Sequence, residues 1–210
     1  RAAEMAKLAE NAYRDVNIAF ANELAAVCEL TGANVREVIE AANRHPRVNI
    51  HKPGIGVGGH CIPVDPWFIV EAAQADTPLM QTARRINDGR PRRLVVRVRA
   101  TLGQGGARKT VACLGLAYKP DVDDVRNSPA IEVVRLLAKE NLADLIVVEP
   151  KVDALPKALS GIRGLRKLEL DEALDCCDVV LLLVPHAEFQ RVDRARLKGK
   201  PLLDAGGEWG

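Results

Sequence analysis

An excess of charge of one sign is the first thing this chain lacks. Its 30 lysines and arginines stand against 28 aspartates and glutamates, a net charge of +2 with the signs interspersed. Such a balance offers no field for a nucleic-acid backbone or an anionic membrane surface, so neither partner is expected. No apolar run approaches the roughly 18 residues of a membrane span. The first residues lack the charged, apolar and small-residue regions of a signal peptide. Cys28, Cys61, Cys113, Cys176 and Cys177 are odd in number and show no C-x-x-C spacing. That argues against a disulfide framework and for reduced thiols in a cytoplasm. An initiator methionine is missing as well: Arg1 stands where a helical pattern is already under way, so the expectation is a piece of a longer protein. What is present is ordinary globular composition, 48% apolar and 28% charged over 210 residues, enough for one large domain or two small ones.

Glycine and proline are absent from Arg1 to Thr31, while Ala9, Ala12, Tyr13, Val16, Ala19, Phe20, Leu24 and Val27 recur at helical spacing. One helix of about 45 Å is predicted, ended by Gly32. Asn34 with Glu37 predicts a capped second helix to about Asn43. Asp65-Pro66 predicts a cap and first-turn pair for a third, to about Ala75. Thr77-Pro78 opens a fourth helical region to Leu102, with an interruption expected at Gly89 or Pro91. The composition shifts at Gly103-Gln104-Gly105-Gly106. Beyond it, apolar runs at 110–116, 144–148, 179–184 and 201–203 alternate with helical stretches such as Ser128-Pro129 to Lys139. That alternation predicts a parallel sheet with helices on its faces. The fold class is therefore a helical domain over 1–103 followed by a Rossmann-like α/β domain over 104–210. Ligands of such sheets sit beyond the carboxyl ends of the strands, which draws attention to Ala117-Tyr118-Lys119-Pro120. A plain connecting loop with a solvated lysine is the alternative there.

Between the second and third helices lies a stretch nearly bare of side chains, G-I-G-V-G-G-H-C-I-P-V-D-P at 54–66. Glycines let backbone amides approach a ligand closely, and phosphates are the usual reason. The glycines do not follow a strand, so this is not a dinucleotide fingerprint. Taken singly, Cys61 reads as a packed small side chain and Asp65 as a helix cap. His60 and Cys61, with His45 and His51 nearby, match none of the usual zinc spacings, and no metal is expected.

Three separated motifs change that reading. The first-helix pattern E-M-A-K-L-A-E-N-A-Y-R, then G-V-G-G-H-C-I-P-V-D-P-W-F-I-V, then G-L-A-Y-K-P-D-V-D-D-V-R-N-S-P-A resemble, in this order along the chain, the UDP-glucose/GDP-mannose dehydrogenase family. Histidine before the cysteine is similar to the branch acting on UDP-N-acetylhexosamines, and P-W-F-I-V to its D-mannosamine members. The resemblance implies oxidation of the sugar C6 alcohol to a carboxylate by two hydride transfers to NAD, through a cysteine thioester. A thiolate suits this work because it is strongly nucleophilic and its thioester is labile.

By the same resemblance Cys61 is the nucleophile, and Asp65 orients or deprotonates the hydrolytic water. Lys7 and Asn11 are four residues apart and share a helix face; both are donors suited to an oxyanion at C6, where one placed donor is worth ~3–4 kcal/mol. Arg47, with Arg44 as rival, would reach a dimer partner's UDP diphosphate. Lys52, Gly54, Gly56 and Gly58 would wrap the nucleotide, Tyr118 and Lys119 would contact substrate, and Arg126 would contact NAD. A homodimer through the long helix is implied. One departure concerns Asp204-Ala205-Gly206-Gly207, where family members carry a basic residue and this chain has glycine. The larger one is the family's leading NAD domain with its G-x-G-x-x-G turn, which is not among these residues; the chain is expected to be inactive alone. A stand-alone UDP-sugar-binding module is the alternative, as is a sister enzyme acting on UDP-N-acetylglucosamine or UDP-glucose.

Overall fold

Absence of helix breakers lets α1 run unbroken over Ala2–Thr31, closed by a left-handed Gly32 whose N–H returns to the Cys28 carbonyl. The computed structural model describes residues 1–103 and 107–209, which form two compact units, 1–90 and 91–209. Of the glycine-rich boundary expected at 103–106, residues 104–106 lie outside the described residues.

In the first unit, the Asn34 side chain caps α2 (Val35–Ala42) by accepting from the N–H groups of Arg36 and Glu37. The third helix differs from expectation. α3 spans Asp65–Ala72 with Val64 in the cap position and no side-chain cap bond, so Asp65 lies inside the helix and its carboxylate serves elsewhere. It stops short of Ala75 because Ala73 leaves helical geometry (ψ 57°) and a 3-10 turn follows over Gln74–Asp76. α4 (Pro78–Leu102) runs through both Gly89 and Pro91 without the expected break. Buried residues on either side of the proline, Asn87 and Arg90 before it and Leu94 and Val95 after it, anchor the helix and offset a cost of about 3 kcal/mol.

The first unit's interior is unusually polar. α1 turns alanines (Ala12, Ala19, Ala25, Ala26) together with Asn11, Asp15 and Asn22 inward. Arg84 of α4 donates to Asp15 at 2.6 Å, and Asn87 donates to the Asp15 carboxylate and carbonyl at 2.9 and 3.0 Å. Asn22 in turn donates to Asn87 at 3.0 Å. Polar groups out of water must find such partners, and here they tie the two long helices together.

The second unit is a five-stranded, all-parallel sheet in the order β3-β2-β1-β4-β5. Its strands are β1 (Thr110–Leu114), β2 (Asp144–Val148), β3 (Arg166–Lys167), β4 (Val179–Leu182) and β5 (Leu202–Asp204). β1 is central: Val111 pairs Leu145 on one side and Val179 on the other. Ala112, Leu114, Ile146, Val148, Val180 and Leu182 turn to one face, where Ala173 and Leu174 of α6 (Leu170–Cys176), Phe189 and Trp209 cover them. The alternate residues Val111, Cys113, Leu145 and Val147 are equally buried. α5 (Pro129–Glu140), capped by Ser128, turns Val133, Val134 and Leu137 inward. Two-sided burial explains why these strands read as continuous apolar runs.

Strand order reverses beside β1, with β2 and β3 on one side and β4 and β5 on the other. Such a reversal opens a crevice at the carboxyl ends of the strands, the usual ligand position. The loop after β1 and the loop after β4 meet there. Gly115, at φ +90°, approaches Val184 so closely that an added Cβ would stand 2.5 Å from the valine Cβ. Only glycine fits at that crossing.

Candidate active site

α1 and α3 bring two of the expected groups together. The Asn11 side chain, 1% exposed, donates to the Asp65 carboxylate at 2.5 Å. Cys61 is exposed one turn before α3, and its carbonyl accepts the N–H of Val64 at 3.0 Å and of Asp65 at 2.8 Å. Thiol-bearing residue and carboxylate are thus fixed on the same turn. Lys7 lies one turn before Asn11 on α1, where its ammonium rests on Glu10 at 3.3 Å.

The bare loop is held by asparagines the sequence reading did not single out. Asn43 bonds both the N–H and the carbonyl of Ile50, at 2.7 and 3.0 Å. Asn17 accepts from the His51 N–H at 2.7 Å and donates to the Asn49 carbonyl at 2.7 Å. Asn22 accepts from the Gly54 N–H at 2.9 Å, and Arg90 donates to the Gly54 carbonyl at 2.9 Å. Gly56 and Gly59 then take φ of 128° and 89°, which side chains rarely allow. Lys52 is exposed, and Gly54, Gly56 and Gly58 are half-buried. Arg47 is exposed, with its N–H on the His45 ring at 3.3 Å. Burial, with the Arg14 charge adding to it, holds His51 below its ordinary value of 6.5. Asn11, Asp15 and Asn22 at helical spacing on a face otherwise lined by alanines were the available signal for this wiring.

In the second unit, the loop after β1 carries Tyr118 and Lys119, with the lysine ammonium 5.5 Å from the centre of the tyrosine ring. Arg126 is paired with Asp124 at 2.7 Å. The structure adds a buried pair beneath this loop. Glu149, directly after β2, accepts from the N–H of Leu116 at 2.6 Å, of Ala117 at 2.9 Å and of Lys151 at 3.0 Å. It also meets the His186 ring at 3.1 Å. Burial pushes the Glu149 carboxyl up, but the His186 bond and the Leu116 and Lys151 amides together hold it below its ordinary 4.5. An acidic residue directly after the apolar run at 144–148 was the available sequence signal. At the sheet's far end the Asp204 carboxylate accepts from the N–H of Gly206 at 2.9 Å and of Trp209 at 2.5 Å. The glycine segment that departs from the family pattern is curled back on Asp204.

NAD does not fit the described residues as the tenant of this sheet. A dinucleotide's pyrophosphate would need the amides after β1, and those of Leu116 and Ala117 already face a carboxylate.

Comparison with known proteins agrees with this layout. Residues 1–89 match the central domain of the UDP-glucose/GDP-mannose dehydrogenase family, and residues 112–206 its UDP binding domain. An NDP-N-acetyl-D-galactosaminuronic acid dehydrogenase of Ralstonia nicotianae is 49% identical over 209 residues, 100% of this chain and 48% of the relative. A UDP-N-acetyl-D-mannosamine dehydrogenase of Yersinia pestis is 48% identical over 216 residues, 100% of this chain and 51% of the relative. The solved UDP-N-acetyl-mannosamine dehydrogenase of Staphylococcus aureus superposes with a TM-score of 0.82 at 39% identity, over 98% of this chain and 47% of its own. The chain spans about half the length of the curated relatives it matches. With both units matched in order, the chain belongs to the UDP-glucose/GDP-mannose dehydrogenase family.

Proposed function

We propose that this chain is the thiol-bearing and UDP-binding part of a cytoplasmic nucleotide-sugar 6-dehydrogenase, acting on a UDP-N-acetylhexosamine. The observation that carries the reading is the turn that joins exposed Cys61 to Asp65, with Asp65 tied to buried Asn11. In the proposed chemistry the Cys61 thiolate adds to the C6 aldehyde, and Asn11 and Lys7 donate to the resulting oxyanion. NAD, when bound, would supply the hydride acceptor, with Arg126 as its proposed contact among the described residues. Once the thiohemiacetal has become a thioester, Asp65 takes the proton of the attacking water, and the sugar carboxylate leaves Cys61 as a thiol. Each unit is proposed to carry its own contacts for UDP: the loop from Lys52 to Gly58 in the first, and Tyr118 with Lys119 in the second.

The acetamido sugar is supported by relatives of nearly equal identity whose sugars differ in stereochemistry. D-mannosamine is the sugar proposed here, from P-W-F-I-V; the D-galactosamine stereoisomer is the second reading, favoured by the Ralstonia relative. The test is turnover by the full-length protein on UDP-linked N-acetyl-D-mannosamine, N-acetyl-D-galactosamine, N-acetyl-D-glucosamine and glucose. Oxidation of the first with two hydrides per sugar is expected, and Cys61→Ser should abolish it. Equal turnover of glucose would overturn the acetamido assignment, and wild-type rates in Cys61→Ser would remove the thiol from the reaction.

A homodimer through α1 is part of the proposal. Tyr13, Phe20 and Val27 recur every seven residues on α1, each more than half exposed, an apolar stripe left uncovered within the chain. Two-fold pairing would carry Arg47 to the partner's nucleotide. Sedimentation at micromolar concentration should give twice 22.8 kDa; the monomer mass would sink both the dimer and that role of Arg47.

A further inference from the structure

Glu149 and His186 are both fully buried at the crevice where strand order reverses, and neither belongs to the chemistry proposed for Cys61. Their bonds converge on one loop. Glu149 takes the amides of Leu116 and Ala117. His186 Nδ1 accepts the Asp121 N–H at 3.0 Å, which assigns the ring proton to Nε2 and makes that nitrogen a donor to Glu149. Asp121, at φ 61°, closes the ring by accepting from the Ala187 N–H at 2.9 Å. Between these anchors stand Tyr118 and Lys119.

In a parallel sheet, the amides after the first strand ordinarily cradle a ligand's phosphate. Here a protein carboxylate fills that place permanently. Asp121, His186 and Glu188 also carry atoms within 4.8 Å of one another that could ligate a metal. The His186 nitrogen is already taken, since Nδ1 holds the Asp121 amide, and one Glu188 oxygen is paired with Lys151.

We infer that the buried Glu149–His186 pair is a clasp that positions the Tyr118–Lys119 loop for the nucleotide, with Glu149 standing where a phosphate would otherwise sit. Glu149 and His186 are positioning residues and touch no ligand. The UDP is gripped by the side chains of Tyr118 and Lys119, and its diphosphate lies outside this loop's amides. The inference rests on the UDP reading of the site.

The test combines amide hydrogen exchange at residues 116–121 with titration of UDP into the full-length protein. His186→Gln keeps a donor toward Glu149 and loses the acceptor for Asp121. His186→Asn keeps that acceptor and loses the donor. Asp121→Gly cuts the outer bond at an exposed position whose φ glycine accepts, without entering the core. His186→Gln and Asp121→Gly should raise exchange across the loop and weaken UDP binding, each by about tenfold. His186→Asn should restore protection at Asp121 while leaving Leu116 and Ala117 exchanging faster, and should recover only part of the UDP affinity, a pattern that general loss of stability would not give. Faster loop exchange with UDP affinity unchanged overturns the positioning role, as does no change in either. A wild-type chain that does not bind UDP, or for which Lys119→Ala has no effect, overturns the nucleotide reading of the site and the positioning role with it. Wild-type binding with all three variants unaffected overturns the clasp alone.

Discussion

Asn11 on α1 donates its side-chain amide to the Asp65 carboxylate of α3 across 2.5 Å, joining two residues 54 apart in sequence. One hydrogen bond therefore orients both the proposed oxyanion donor and the proposed hydrolytic base. In the full-length protein, Asp65→Asn keeps the shape and removes the proposed base. Intact-mass measurement during turnover should find a sugar acyl group accumulating on Cys61, with steady turnover at least about tenfold below wild type. Asn11→Ala should lower kcat by about a hundredfold through loss of the donor, without acyl accumulation. Acyl accumulation in Asn11→Ala alone would reverse the two roles.

Thiol labelling follows from burial. Cys61 and Cys176 are exposed, while Cys28, Cys113 and Cys177 are buried. Burial pushes the Cys113 thiol up to about 12, and it raises Cys177 against the opposing charge of Lys200. Peptide mapping after a brief pulse of alkylating reagent at pH 8 should find label on Cys61 and Cys176. The other three should react only after denaturation. Rapid labelling of Cys113 would contradict the packing of β1.

Gly115→Ala should be among the most damaging small substitutions in the second unit. The new methyl would meet Val184 at 2.5 Å at a backbone φ of +90°. Overpacking and strain together should cost about 3 kcal/mol, read as a lowered urea midpoint for that unit. A wild-type midpoint would mean that the loops after β1 and β4 separate easily.

Glu149 gives the second unit a pH dependence of known sign. Its carboxyl is held below the ordinary 4.5 in the folded chain. The stabilisation is thus fully present above about pH 4.5 and is lost as pH falls through the folded value. Glu149→Gln should be less stable at neutral pH and should lose that part of the acid dependence. Parallel stability–pH curves for the two proteins would disprove the linkage.

In the first unit, Arg84→Met should cost about 3–5 kcal/mol, because it strands the Asp15 carboxylate in the interior. Replacing Asp15 and Arg84 together by apolar residues should recover much of that loss in chemical denaturation. A double variant no better than Arg84→Met would mean the pair's partners, Asn87 and Asn22, depend on it in turn.

Local rules carried the reading of this chain a long way. Without glycine or proline before Thr31, the first helix had no place to stop. The apolar runs at 144–148 and 179–182 form buried parallel strands because both their faces must be covered. Asn34 and Ser128 cap the helices they precede because their side-chain oxygens reach the first free amides. The thiol turn and the tyrosine-lysine loop were visible as motifs for the same reason: their meaning lies in residues adjacent in the chain. Tertiary structure decided what depends on partners far apart in sequence. Asp65 is a local cap by composition, yet it forgoes that role because Asn11 arrives from another helix to bond it. Pro91 should break a helix by itself, but buried neighbours on both sides keep α4 continuous. Glu149 by itself is an acid at a strand end, and it takes the amides of Leu116 and Ala117 and the His186 ring only when the strand order brings β1, β2 and β4 to one edge. Intrinsic preferences are worth about 1 kcal/mol for most side chains and about 3 kcal/mol for proline, and packing against distant partners outweighs both.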